Sequence, residues 1–288
     1  MFDQSSLWHH VSKYSRVVAH NAVWCLVLGL IYFALVYLIE RFTGARTHQY
    51  RTRGFLQDIA YWFYSRSGFG RLTTTTVVYS LLIPRLAFLN VKLLVGLPIA
   101  LRWAIYFLVT DFITYWVHRW THSNRFFWAF HTTHHSQVQM SFLTSDRAHP
   151  VDLLTTDLVI LLPILVLGGN VKEWLPLYYL IQFMIVIQHS EIPWRLGPLY
   201  YVIVSPVFHS YHHSTRVEHH DRNFGRILSI WDFMFGTAVD EKERAKEYGL
   251  ADLKMPTLAS TFLVPFRMAY QTCFNKPRRA SSAGLADT

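Results

Sequence analysis

Charge is what this sequence has least of. Only 16% of its 288 residues are Asp, Glu, Lys or Arg, well below the roughly 25% usual for a soluble domain. With 52% hydrophobic residues and several long apolar runs, that deficit excludes an ordinary soluble enzyme and reads as one integral membrane domain. Cysteine is nearly absent. Cys25 and Cys273 stand far apart, with Cys25 inside an apolar run, which excludes a disulfide framework and a thiolate-held cluster. No G-x-G-x-x-G fingerprint or haem-attachment motif occurs, and no repeat of fixed period is evident. Acidic residues number 18 against 27 basic ones, a formal charge of +9. The basic residues are spread through loops between apolar runs, as in the cytoplasmic loops of membrane proteins. The expectation is therefore a membrane protein with no nucleic-acid partner.

Five spans can be read, at 21–40, 72–89, 95–117, 151–168 and 173–188. Pro84 and Arg85 interrupt the second, and "GNVK" joins the last two as a hairpin. The first starts too late and runs too long for a secretory signal, so it reads as an anchor. Placing 41–71, 118–150 and everything after His189 on one side collects most of the Lys and Arg there, which makes that side cytoplasmic. The expected fold is all-α: a multi-pass membrane bundle with a cytosolic, histidine-rich helical cap. Residues 1–94 form an anchor region, 95–240 the catalytic domain and 241–288 a cytosolic segment. In that segment "EKERAKE" (241–247) reads as a solvated helix and "NKPRRASSAGLADT" as a disordered tail.

Sixteen histidines are the anomaly, and most of them fall on that one face. "HRWTH" puts His118 and His122 at i and i+4, side by side on a helix. The same stripe runs back through Tyr115 to Asp111, a carboxylate inside a span, which is costly unless paired. Asp111 is therefore expected to take a ring N–H of a histidine. "HTTHH" (His131, His134, His135) and "HSYHH" (His209, His212, His213) repeat one spacing, i, i+3, i+4. Adjacent histidines diverge by about 100° on a helix, so each triplet can feed two metal ions. Eight or more imidazoles are too many for one ion, which needs three or four. Imidazole suits zinc, iron, copper and nickel. Chemistry on an unactivated C–H bond of a lipid favours iron with O2, whereas zinc would serve hydrolysis.

The three motifs, in this order between apolar spans, resemble the histidine boxes of the fatty acid hydroxylase / sterol desaturase superfamily. "HSEIPWRLGPLYYVIVSPVFH" and "DRNFGRILSIWDFMFGT" are similar to the same family's pattern, and the resemblance covers roughly 100–240. It implies a non-haem di-iron centre held by His118, His122, His131, His134, His135, His189, His209, His212 and His213. It adds His149 of "RAHP" as a further ligand and leaves His219 and His220 unassigned. Asp221 and Asn223 match its D-x-N positions, expected to fix a loop or hydrogen-bond the boxes. Trp231, Phe233 and Phe235 are expected to pack the cap on the membrane helices. The implied activity is O2-dependent hydroxylation or desaturation of a membrane lipid, with electrons from an external ferredoxin-type or cytochrome donor. Two rival readings are a metal transporter or sensor and a zinc-dependent lipid hydrolase. The first would need ligands near mid-membrane, where only Asp111 and Asp157 are candidates.

Overall fold

The computed structural model describes residues 4–67, 70, 83–168 and 171–274, and among them it is helical with no named strand. Most of the 72–89 span and the tail from residue 275 lie outside the described residues. Helix α1 (Gln4–Phe42) begins well before the apolar run at 21–40. Its C-terminal end carries a buried carboxylate, Glu40, which accepts hydrogen bonds from the Tyr50 hydroxyl (2.7 Å) and the Glu191 backbone N–H (2.8 Å). Helix α2 (Arg53–Arg66) starts where Thr52 caps the Phe55 N–H. Val36, Phe55, Phe142, Leu143, Val186 and Ile192 pack between these elements as one apolar core.

Helix α3 (Ile99–Ser123) runs on past its apolar stretch into the first histidine pair. Asn124 ends it and at once caps α4 (Arg125–His135), its side-chain oxygen accepting from Phe126 N and Phe127 N. One residue thus turns the chain so that two histidine-bearing helices abut. Helices α5 (Pro150–Leu167) and α6 (Val171–Gln188) return the chain. Gly168 closes α5 at φ +77°, a left-handed position that favours glycine. Tyr106 of α3 packs with Ile164, Leu167 and Trp174. Among the described residues α5 is the one helix that passes on length and apolarity as a membrane span. Helix α7 (Pro206–His212) opens at the Ser205 cap, with Pro206 in its first turn. Short helix α8 (Ile230–Met234) and the C-terminal α9 (Leu258–Phe274) follow.

Helix α9 packs on α4. Pro265 inside it has no N–H to offer the Thr261 carbonyl. That carbonyl instead accepts from the Thr133 hydroxyl at 2.9 Å. The segment 241–247 is not the expected helix. It is an irregular strap tied to α7: Ala245 N–H donates to Ser210 Oγ, Arg244 donates to the Pro206 carbonyl, and the Tyr211 hydroxyl donates to the Glu243 carbonyl. These tertiary bonds replace the intrahelical ones, which seven mostly charged residues are too few to sustain alone.

The loop 136–149 is fixed by a buried ion pair that the sequence does not advertise. Arg147 donates to Asp58 Oδ1 at 3.0 Å, and both side chains are essentially inaccessible. Asp58 Oδ2 also accepts from Gln137, Ser141 and Thr144. Arg147 donates further to the Thr133 carbonyl, Ser136 and Gln57. Removing one partner of such a pair strands a buried charge, at about 3–5 kcal/mol. Asp58→Ala should lower the thermal unfolding midpoint of the detergent-purified protein accordingly. An unchanged midpoint would remove the pair from the scaffold.

Candidate metal centre

Nine histidines converge in two groups. His118, His122, His131, His135 and His212 form one, and His134, His189, His209 and His213 the other; within each, the candidate ligand atoms lie within 4.8 Å of one another. The pairs at i and i+4 (118/122, 131/135, 209/213) each stay within one group, and the i+3 residues His134 and His212 cross to the other. Neighbouring rings are almost perpendicular: His134 and His135 meet at 89°, as do His212 and His213.

The orientation of each ring has a traceable cause. A neutral imidazole carries one N–H, and here the Nδ1 side repeatedly faces a fixed acceptor. His118 Nδ1 donates to the Phe224 carbonyl (2.9 Å), His134 to Arg147 (3.2 Å), His189 to Ile185 (2.8 Å) and His212 to Arg222 (2.9 Å). His131 Nδ1 donates to the Asp152 carboxylate at 2.9 Å, and His122 Nδ1 lies 3.4 Å from Asp221. The Nε2 atoms are then left with lone pairs, and these face inward. His118 and His131 present Nε2 to one another at 3.2 Å, and His134 and His189 at 3.3 Å. Carbonyls accept only, so His134 and His189 both hold their proton on Nδ1. Their Nε2 lone pairs repel at that distance unless a cation lies between them. The Nε2 atoms of His122, His135 and His212 are buried without a hydrogen-bond partner. Both groups therefore fit a metal ion.

The carbonyls that hold the rings are themselves held. Asp232 accepts from Phe224 N, Gly225 N and Thr237 Oγ1. A Cβ on Gly225 would sit 2.8 Å from Asp232 Oδ2 and 2.6 Å from the Leu228 carbonyl, so that approach needs glycine. Asn223, at φ +56°, donates to the Phe208 carbonyl and accepts from Val239 N, which fixes the loop that carries Arg222 and Phe224.

Three expectations are corrected. Asp111 touches no histidine: its carboxylate accepts from Ile227 N (3.0 Å), Leu228 N (3.1 Å) and Trp231 Nε1 (2.9 Å). It pins the 221–237 block to α3, and the carboxylate that does orient a ring is Asp152. His149 joins neither group. It caps α5, its Nδ1 accepting from Val151 N and its Nε2–H donating to the Phe262 carbonyl. Both nitrogens are occupied, leaving no lone pair for a metal. Phe233 packs on Tyr200, Tyr201 and Phe208, whereas Trp231 and Phe235 do meet Phe112, Tyr115 and Trp116 of α3. His219 pairs with Glu241 outside the centre, and His220 is exposed.

The fatty acid hydroxylase family model matches residues 103–237, the stretch that supplies all nine converging histidines. Residues 103–237 are thus similar to the fatty acid hydroxylase family. The chain is also similar to several curated proteins. The chain is 33% identical to an alkylglycerol monooxygenase of Xenopus tropicalis over 59% of its own length and 36% of that protein. It is 25% identical to an ornithine lipid hydroxylase of Rhizobium tropici over 75% and 67% of the two chains. With methylsterol monooxygenase 1-3 of Arabidopsis thaliana the identity is 27% over 49% and 51%. The chain thus spans about a third of the length of the alkylglycerol monooxygenases it matches. No solved structure gives a significant match.

Asp152→Asn should weaken metal retention about 10–100-fold, the range for groups that orient a ligand, as measured by chelator competition. Asp111→Asn should lower the unfolding midpoint and change metal affinity far less. Equal effects of the two on affinity would contradict the division of labour.

Burial and neighbouring imidazoles hold His134, His135, His209, His212 and His213 well below the usual 6.5, and burial brings His189 to about 4. Unfolded imidazoles protonate below 6.5 while the folded ones stay neutral. Stability present above 6.5 is therefore lost as pH falls toward 4. The unfolding midpoint of metal-free protein should drop across that window, and a flat profile would contradict it.

Proposed function

We propose that the chain is a multi-pass membrane oxygenase that uses O2 to hydroxylate, or to desaturate, a C–H bond of a lipid. The observation that carries this reading is the pair of converging histidine groups with lone pairs turned inward. The family-model match and the lipid monooxygenases among the relatives support it. Two iron ions would be held, one by His118, His122, His131, His135 and His212, the other by His134, His189, His209 and His213, and would supply oxygen activation and the oxidising power that a C–H bond demands. An all-imidazole donor set suits iron as well as zinc. The relatives' names favour the redox metal.

The chain's own residues do the rest. Phe224, Arg147, Ile185 and Arg222 carbonyls and the Asp152 carboxylate keep the ring protons on Nδ1, so that the metal-facing nitrogens stay unprotonated. A cavity of about 190 Å³ reaches His118, His131, His134, His189 and His209 from between α3, α5 and α6, and gives a substrate access to both groups. The exposed apolar side chains of α1, among them Val23, Trp24, Leu30 and Leu38, and those of α3 and α9 suit a lipid surround. With the basic loops cytoplasmic, the histidine centre faces the cytosol. Electrons would come from a ferredoxin-type or cytochrome donor, as the resemblance implies. A zinc hydrolase built on the same ligands is the alternative, and turnover without O2 would select it.

Expression in a lipid-containing host, followed by lipid mass spectrometry, tests this. One lipid class should gain an oxygen atom or lose two hydrogens, and His134→Ala and His212→Ala, one from each group, should abolish the change and the bound iron together. An unchanged lipidome with the wild-type chain and its donor present would overturn the assignment.

A further inference from the structure

The histidines account for only part of the cavity they line. Beyond them the wall carries five charged residues: Arg66, Asp146 and Asp152, and also Arg226 from the loop before α8 and Asp157 from α5. The other charges around this space are engaged. Asp146 is paired with Arg66 at 2.6 Å and Asp152 with His131 at 2.9 Å. Asp111, the carboxylate whose field acts on Arg226, is filled by Ile227 N, Leu228 N and Trp231 Nε1. Arg226 and Asp157 make no hydrogen bond or ion pair among the described residues, with one another or with any neighbour. Both are partly buried, and charges that have lost part of their water are costly unless a partner meets them.

We propose that this cavity takes the head group of a lipid that carries both an oxyanion and an ammonium, the oxyanion on Arg226 and the ammonium on Asp157. A guanidinium offers paired N–H donors that match a phosphate or carboxylate. A neutral lipid would leave both charges unmatched. A simple fatty acid would satisfy Arg226 and leave Asp157 unmatched. Because the same cavity reaches both histidine groups, the head group and the reacting carbon are close together, so oxidation falls near the polar end of the lipid. This deepens the oxygenase reading and rests on it for the reaction, while the binding itself does not.

The test is equilibrium binding to the purified full-length chain with its metal bound, in detergent and without O2, so that no turnover intervenes. The probes are 1-palmitoyl-lysophosphatidylethanolamine, Nα-palmitoyl-lysine and neutral 1-O-hexadecylglycerol. At least one zwitterion should bind about tenfold or more tighter than the neutral probe, the size of one or two charge-assisted hydrogen bonds. Which zwitterion is preferred separates a phosphate source from a carboxylate. Arg226→Gln should erase the preference, Arg226→Lys should keep part of it, and Asp157→Asn should reduce it, all with metal content equal to the parent. Equal affinity for all three probes, or a preference that survives both Arg226→Gln and Asp157→Asn, would overturn the proposal. O2 uptake by the reduced holoenzyme reads the other assignment separately. Selective binding without uptake would sink the oxygenase reading alone, and uptake without selectivity would sink only this one.

Discussion

The structure depends on where each imidazole keeps its single proton. A neutral ring can offer a metal whichever nitrogen lacks hydrogen, and in free solution the two tautomers exchange. Here a carbonyl or carboxylate stands opposite Nδ1 in His118, His131, His134, His189 and His212. That contact fixes the tautomer and the ring plane together. His149 demonstrates the converse. With its N–H on Nε2 and its Nδ1 accepting from a backbone amide, an equally buried histidine becomes a helix cap.

The need for fixed carbonyls explains an otherwise odd use of acid. The chain has few Asp and Glu residues, yet Asp58, Asp111 and Asp232 are buried. Each accepts several hydrogen bonds, and these tie down the residues whose carbonyls hold the rings or the segment that follows them. Asp58 holds Arg147, whose carbonyl meets His134. Asp232 holds Phe224 N, and the Phe224 carbonyl meets His118. Asp111 anchors the following residues to the helix that carries His118. Isolated buried carboxylates are strongly unfavourable, but three or four good donors per group offset the lost hydration. The scaffold's polar core is thus an extension of the centre, one hydrogen bond removed.

Local periodicity and long-range partnership divided what could be read in advance. The grouping of His118 with His122, the divergence of His134 from His135 and that of His212 from His213 follow from 3.6 residues per turn, which any stretch of sequence displays. The partner of a buried carboxylate follows from tertiary packing, which it does not. Asp111 shares a helix stripe with His118 and His122, so a histidine contact was the natural expectation. Its oxygens are taken instead by the 227–231 segment, more than a hundred residues away. Asp152, which holds His131, sits on a different helix 21 residues on and carries no spacing signal. Residues 241–247 mislead for the same reason, since their charges suggest a solvated helix while α7 supplies better partners.

The C-terminal helix extends this logic past the family match, which stops at 237. Pro265 interrupts α9's own ladder. The Thr261 carbonyl, freed by the missing N–H, accepts from Thr133, and that of Phe262 from His149. Tyr61 of α2 donates to the Thr261 hydroxyl at 2.6 Å. One proline-broken turn is therefore the point where α2, α4 and the start of α5 are joined. Thr133 lies between His131 and His134, so any slide of α9 along α4 would be felt by histidines of both groups. A helix outside the recognised segment thereby belongs to the mechanical support of the centre, because its broken backbone offers acceptors that an unbroken helix would have kept for itself.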